Sequence, residues 1–279
     1  MTSLVGCDFS SRPSPKKTIV LALGQLDRGV VRLERWVDLT SLEAFAEWLQ
    51  APGAWVGGFD LPFGLPRPLV ESLGWPTDWT ACMAHYASLS RPQIRDLFAA
   101  YCNARPAGSK FAHRQTDGPA GASPSMKWVN PPVAYMLHAG VPLLMEAGVT
   151  LPGLYVPPKS DCTEVKIGLE AYPGFLARQV LGSRSYKSDD KAKQDTARWV
   201  ARKDLLHAME MGQLLDLRLR LNQGQREALI DDAKGDRLDA VLCLMQAAWA
   251  AQQHQEGQPC YGLPSDLDPL EGWIVGVPG

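Results

Sequence analysis

The stretch Val5-Gly6-Cys7-Asp8-Phe9-Ser10-Ser11 (VGCDFSS) decides the reading of this chain, because a short apolar run closes there on a carboxylate. Leu4–Asp8 reads as a strand. Thr18–Gly24 (TIVLALG) is β-branched and apolar, and Val30–Val37 (VVRLERWV) alternates in part, Val31 and Leu33 against Arg32 and Glu34. The Ser11–Lys17 stretch and the Asp27-Arg28-Gly29 turn separate the three, which predicts an antiparallel meander. Ser41–Gln50 follows as a helix, with Leu42, Phe45, Ala46 and Leu49 on one face and Ser41 as N-cap.

The same ending recurs further along. Trp55–Asp60 (WVGGFD) and Val165–Glu170 (VKIGLE) are short strands that end in acids. The last long helix, Asp236–Gln253, is apolar almost all round, so it is expected to pack on a sheet, and it opens with Asp236 and Asp239 on one face. Asp189–His207 reads as a further helix, and Arg91–Asn103 and Pro132–Ala147 as two more inside an irregular insertion at 82–158. The order predicts a single α/β domain over 1–279: a three-stranded antiparallel meander plus parallel strands in one mixed sheet, flanked by helices, with 82–158 as a lid.

Acids at strand ends that face a helix start can converge. Such a cluster repels itself unless protonated or neutralised by cations, and Mg²⁺ or Mn²⁺ suits oxygen ligands. Two such ions can clamp the attacking and leaving oxygens of a phosphoryl displacement. Asp8, Asp60, Asp236 and Asp239 are therefore the candidate catalytic and metal-binding residues, with Glu170 as an additional ligand or base. The plainer alternative makes Asp8 and Asp60 strand terminators, Asp236 an N-cap and Asp239 its capping partner.

Four motifs carry a resemblance: VGCDFSS at Val5–Ser11, GFDLPFGLP at Gly58–Pro66, EAYPG at Glu170–Gly174 and DRLDAVLCLMQAAWA at Asp236–Ala250. In this order they resemble the RNase H-like superfamily, and within it the predicted-nuclease family described as domain of unknown function 429. The resemblance implies an RNase H-like fold and a divalent-metal site. By position Asp8 looks like the first-strand acid, Asp60 the fourth-strand acid, and Asp236 or Asp239 the helix acid. Glu170 matches the family's Glu-x-Tyr-Pro motif. Where many members carry a glycine-rich turn after the first acid, this chain has Phe9-Ser10-Ser11-Arg12-Pro13.

Composition narrows the classes. The 279 residues are 46% hydrophobic and 21% charged with net charge −2, enough for a large core and against a surface that coats nucleic acid all over. Charge is uneven, however. Residues 176–203, which include Lys187, carry a net +5, residues 101–130 a net +3, and residues 204–279 a net −7. A basic region beside an acidic cluster suits a nucleic acid or other phosphoester, so Lys110, His113, Arg114 and Lys187 are candidate substrate contacts. The six cysteines form no CxxC pair and are expected to be reduced thiols, and neither a signal-peptide pattern nor a membrane-length apolar run is visible, so a cytoplasmic protein is expected. No GxSxG, GxxxxGK[ST] or GxGxxG motif supports a serine hydrolase, P-loop or dinucleotide enzyme. The expected activity is metal-dependent phosphodiester hydrolysis. The alternatives are a non-catalytic binding module of the same fold and an actin-like phosphotransferase, the latter disfavoured by the lack of an internal repeat and of a second glycine-rich phosphate loop.

Overall fold

A computed structural model describes residues 1–158 and 165–279. The sheet has six strands, β1 (Thr2–Asp8), β2 (Ile19–Asp27), β3 (Val30–Leu39), β4 (Trp55–Phe59), β5 (Lys166–Glu170) and β6 (Arg218–Arg220). Their order is β5-β4-β1-β2-β3-β6. β1, β2 and β3 form the antiparallel meander, while β4 runs parallel to β1, β5 to β4 and β6 to β3. The fold is thus α/β with a mixed sheet, consistent with an RNase H-like architecture. β6 is too short for its period to stand out in the sequence.

Helices cover both faces. Before β5 come α1 (Leu42–Gln50), α2 (Arg67–Ser72), α3 (Trp79–Ser88), α4 (Arg91–Asn103), α5 (Asp117–Ala120) and α6 (Val133–Glu146). After it come α7 (Pro173–Leu181), α8 (Thr196–Glu210), α9 (Gln223–Asp231) and α10 (Asp236–Gln255). Ser41 caps α1 by accepting from the Ala44 N–H at 3.1 Å. The helix expected over Asp189–His207 is divided. Asp190 starts a short 3₁₀ turn, and Asp195 starts α8 afresh by accepting from the Arg198 N–H at 2.9 Å. Aspartate side chains that bond nearby N–H groups favour such new starts.

Period-two geometry sorts the strand residues between two cores. On β1, Leu4 packs with Val20, Ala22 and the α10 residues Val241 and Leu244. Val5 and Cys7 pack on the opposite face with Ile19, Leu21, Phe45 and Leu49. Burial on both faces explains why these strands read as continuous apolar runs. α10 lies directly on the strands: a Cβ at Gly6 would collide with the Ala240 carbonyl and the Leu244 backbone, and one at Gly58 would sit 2.5 Å from the Cys243 carbonyl oxygen. Glycine at both positions lets helix and sheet approach closely.

The 82–158 segment supplies core residues and also, through Arg91, Ser123, Pro131, Val133 and Met136, one wall of a cleft at the ends of β1 and β4. Met83, Tyr86, Ile94, Phe98, Leu137 and Val141 are buried in the core on the face opposite α10, together with Phe45 and Leu49 of α1. Cys7, Cys82, Cys102, Cys243 and Cys260 are free thiols, and Cys162 lies outside the described residues. Among the described residues no helix is long and apolar enough to cross a membrane.

Candidate functional site

Parity along the strands also aims the acids. In parallel register Cys7 stands beside Phe59, and the Asp60 N–H donates to the Cys7 carbonyl at 2.9 Å, so Asp8 and Asp60 follow at the ends of adjacent strands. Two residues beyond Gly6 and Gly58, they share the α10 face. α10 starts there with Gly235 as N-cap, in a left-handed conformation and without a side-chain cap. Asp236 is half-buried and Asp239 fully buried. Neither is the N-cap, so the capping alternative does not describe this helix start.

Asp8 lies within electrostatic reach of the other three aspartates. Burial raises the Asp8 carboxyl well above its ordinary value, and Asp239, Asp60 and Asp236 add to the rise while Lys187 opposes it. Burial and Asp239 push Asp60 up to about 7. Asp236 is raised by burial, with Lys17 opposing and Asp232 and Asp239 adding. The Asp239 carboxylate accepts from Tyr186 Oη at 2.5 Å and pairs with Lys187 Nζ. Burial works against the Lys187 charge, but Asp239, Tyr186 and Asp8 outweigh it and raise its pKa.

In metal-free protein this crowding carries a sign. Between about pH 4 and pH 7 folded Asp60 keeps a proton that an unfolded Asp has lost, so ionisation weakens the fold as pH rises. Asp60→Asn removes that loss. In chelator, its stability relative to wild type should rise across this window, by at most about 4 kcal/mol for a shift of this size. Parallel pH profiles of urea unfolding for the two proteins would refute the crowding.

Glu170 requires correction as a ligand or base. It stands in register with Phe59, one residue out of phase with Asp60, so it points away from the α10 face, although it still lines the inner end of the cleft and its charge adds to the rise of the Asp60 carboxyl. There Arg114 holds it, Nη2 to Oε1 at 2.6 Å and Nη1 to Oε2 at 2.8 Å, and the Phe63 N–H donates to Oε2 at 2.9 Å. Arg114 also requires correction as a surface contact. It is 3% exposed and further donates to Asp117 and to the Glu271 carbonyl. Lys110 and His113 are exposed and do not line the cleft beside the acids. Lys187 does line it.

The cleft has two compartments, which share Asp60, Pro131, Met136 and Lys187. The outer one, about 520 Å³, is lined by Asp8 and Ser10 together with the bases Arg12, Lys17 and Arg91. The inner one, about 230 Å³, is lined by Pro62, Val133, Ala171 and Tyr172 together with the paired Arg114 and Glu170. Arg12, Lys17, Arg91 and Tyr186 were not singled out from the sequence. The run of bases before β2 was the available signal for the first two.

Among the described residues, no group of three His, Cys, Asp or Glu side chains stands ready to hold one metal ion. The donor set nevertheless fits a hard divalent cation. Asp8 and Asp60 offer carboxylates to the cleft that accept no hydrogen bond from a described residue. Lys187 already places a cation against Asp239. Comparison with protein-family models, curated proteins and solved structures gives no match to this chain. Its functional reading therefore rests on the site.

Proposed function

We propose that this chain is a metal-dependent phosphodiesterase acting on nucleic acid, with Asp8, Asp60, Asp236 and Asp239 holding Mg²⁺ or Mn²⁺. The supporting observation is the pair of adjacent strand-end aspartates, Asp8 and Asp60, in a cleft edged by Arg12, Lys17 and Arg91, with Asp8 within electrostatic reach of Asp236 and Asp239 at the start of α10. A divalent cation there would supply charge stabilisation at a phosphoryl oxygen and a more acidic water. The chain's own groups do the rest. The outer bases hold the phosphate backbone, Tyr186 orients Asp239 by its 2.5 Å hydrogen bond, and Lys187 neutralises that carboxylate in the metal-free state.

The test is Asp8→Asn. Wild type should gain melting temperature in Mn²⁺ and cleave a nucleic acid substrate. The variant should lose both yet melt no lower than wild type in chelator, because a self-repelling charge is gone. A wild type that is indifferent to Mn²⁺ would reject the metal reading. It would favour a non-catalytic binding module, a reading the Lys187–Asp239 pair supports because it already compensates part of the acid charge.

A further inference from the structure

The two compartments differ in chemistry on either side of the acids. The outer one offers Arg12, Lys17 and Arg91, all suited to phosphate. The inner one is walled by Pro62, Val133, Met136, Ala171 and Tyr172. Its charged floor is already spent: Arg114 and Glu170 are bonded to each other, and the remaining Arg114 donors go to Asp117 and the Glu271 carbonyl. Among the described residues, the cations an anion would meet in the inner pocket are Arg114 and Lys187, and both are already paired with carboxylates. A flat apolar ring meets aliphatic walls, an adaptable methionine, and a tyrosine whose ring is held with the Arg178 guanidinium 5.2 Å from its centre. At about 230 Å³ the pocket is smaller than the roughly 300–1,000 Å³ typical of drug-sized ligands.

We infer that the inner pocket receives one unpaired nucleobase of the substrate, while the neighbouring phosphates lie along the outer compartment and the phosphodiester between them lies over Asp8 and Asp60. This rests on the phosphodiesterase reading above and adds the substrate class. A base inside a duplex is stacked and paired, and reaches such a pocket only when turned out of the helix. The substrate is therefore a single strand, a frayed end or a nucleotide splayed from its partner. Charge complementarity selects this occupant: an uncharged apolar ligand would make no use of Arg12, Lys17 and Arg91 in the adjoining compartment.

Binding can be read without turnover, by fluorescence anisotropy in Ca²⁺ with a short single-stranded DNA, the RNA of the same sequence, and the duplex of each. Single strands should bind at least about tenfold more tightly than duplexes, since stacking one base on a protein surface contributes about 1–3 kcal/mol. Val133→Phe fills the pocket from the first residue of α6, and Ser123→Phe fills it from a different loop. Each should lower single-strand affinity by about tenfold, leave duplex affinity unchanged, and keep the Mn²⁺ melting shift of wild type. Preference for the DNA or the RNA strand supports the assignment equally and identifies the sugar. Equal affinity for single strand and duplex overturns it, as does wild-type binding by both variants. Loss of the Mn²⁺ shift in wild type overturns the metal reading instead, and the strand comparison still decides the pocket.

Discussion

Arg114→Met is expected to cost about 3–5 kcal/mol of folding stability, the usual loss when one partner of a buried ion pair is removed. Arg114 joins three parts of the chain. Its guanidinium bonds Asp117 of the insertion at 3.0 and 2.9 Å, Glu170 at the end of β5 at 2.8 and 2.6 Å, and the Glu271 carbonyl of the C-terminal segment at 3.0 Å. Asp117 is 0% and Glu170 4% exposed, so methionine would fill much of the space yet leave two carboxylates without a cation. Burial already raises the Glu170 carboxyl, and Arg114 pulls it back. Without Arg114 the Glu170 carboxyl should take up a proton, so the loss should shrink below about pH 5. Urea unfolding at two pH values tests both statements. Arg114→Lys should recover only part of the loss, because an ammonium cannot reproduce the paired, forked bonds. A loss below about 1 kcal/mol for Arg114→Met would mean that water or rearrangement satisfies the acids, and the network would not be a structural clamp.

Lys187→Met should act in opposite directions with and without metal. Asp239 is fully buried, and Lys187 is its cationic partner, with 41% of the lysine side chain exposed. Partial exposure screens the pair, so the loss in chelator is expected to be about 1–3 kcal/mol, below that for Arg114. The Tyr186 hydroxyl remains to bond Asp239. With Lys187 gone, the acids are freer to bind Mn²⁺, and the melting shift at a given Mn²⁺ concentration should exceed that of wild type. Thermal melts across a Mn²⁺ titration measure this. A shift that is unchanged or abolished in the variant would show that Lys187 does not stand in the cation's place.

Much of the frame is legible in the residues. The meander follows from three apolar runs separated by turn-forming stretches, and Ser41 marks the start of α1 by its ability to accept a backbone hydrogen bond. The all-round apolar character of Asp236–Gln253 predicts a helix on the sheet, since such a surface is stable only when covered. Strand ends and a helix start in that chain order single out Asp8, Asp60, Asp236 and Asp239 as acids that can converge, and Asp8 is electrostatically coupled to the other three.

Three matters are decided only in the tertiary structure. Glu170 ends its strand as Asp8 and Asp60 end theirs, but a one-residue difference in phase turns it away from the α10 face, and phase is set by pairing register rather than by position in the run. Arg114 sits in a Gly-, Pro- and Ser-rich loop that reads as solvated. It is buried because Glu170 and Glu271 come to it from residues over fifty positions away, a long-range pairing that no local pattern encodes. The insertion's small and polar residues suggest a lid; its aromatic and aliphatic helices also form a core with α1, while Arg91, Arg114, Ala122, Ser123 and the 131–136 stretch line the cleft. Local periodicity specifies which residues can be strands and helices. Which charges become partners depends on register and on chain closure, and those are settled by the packing of the whole molecule.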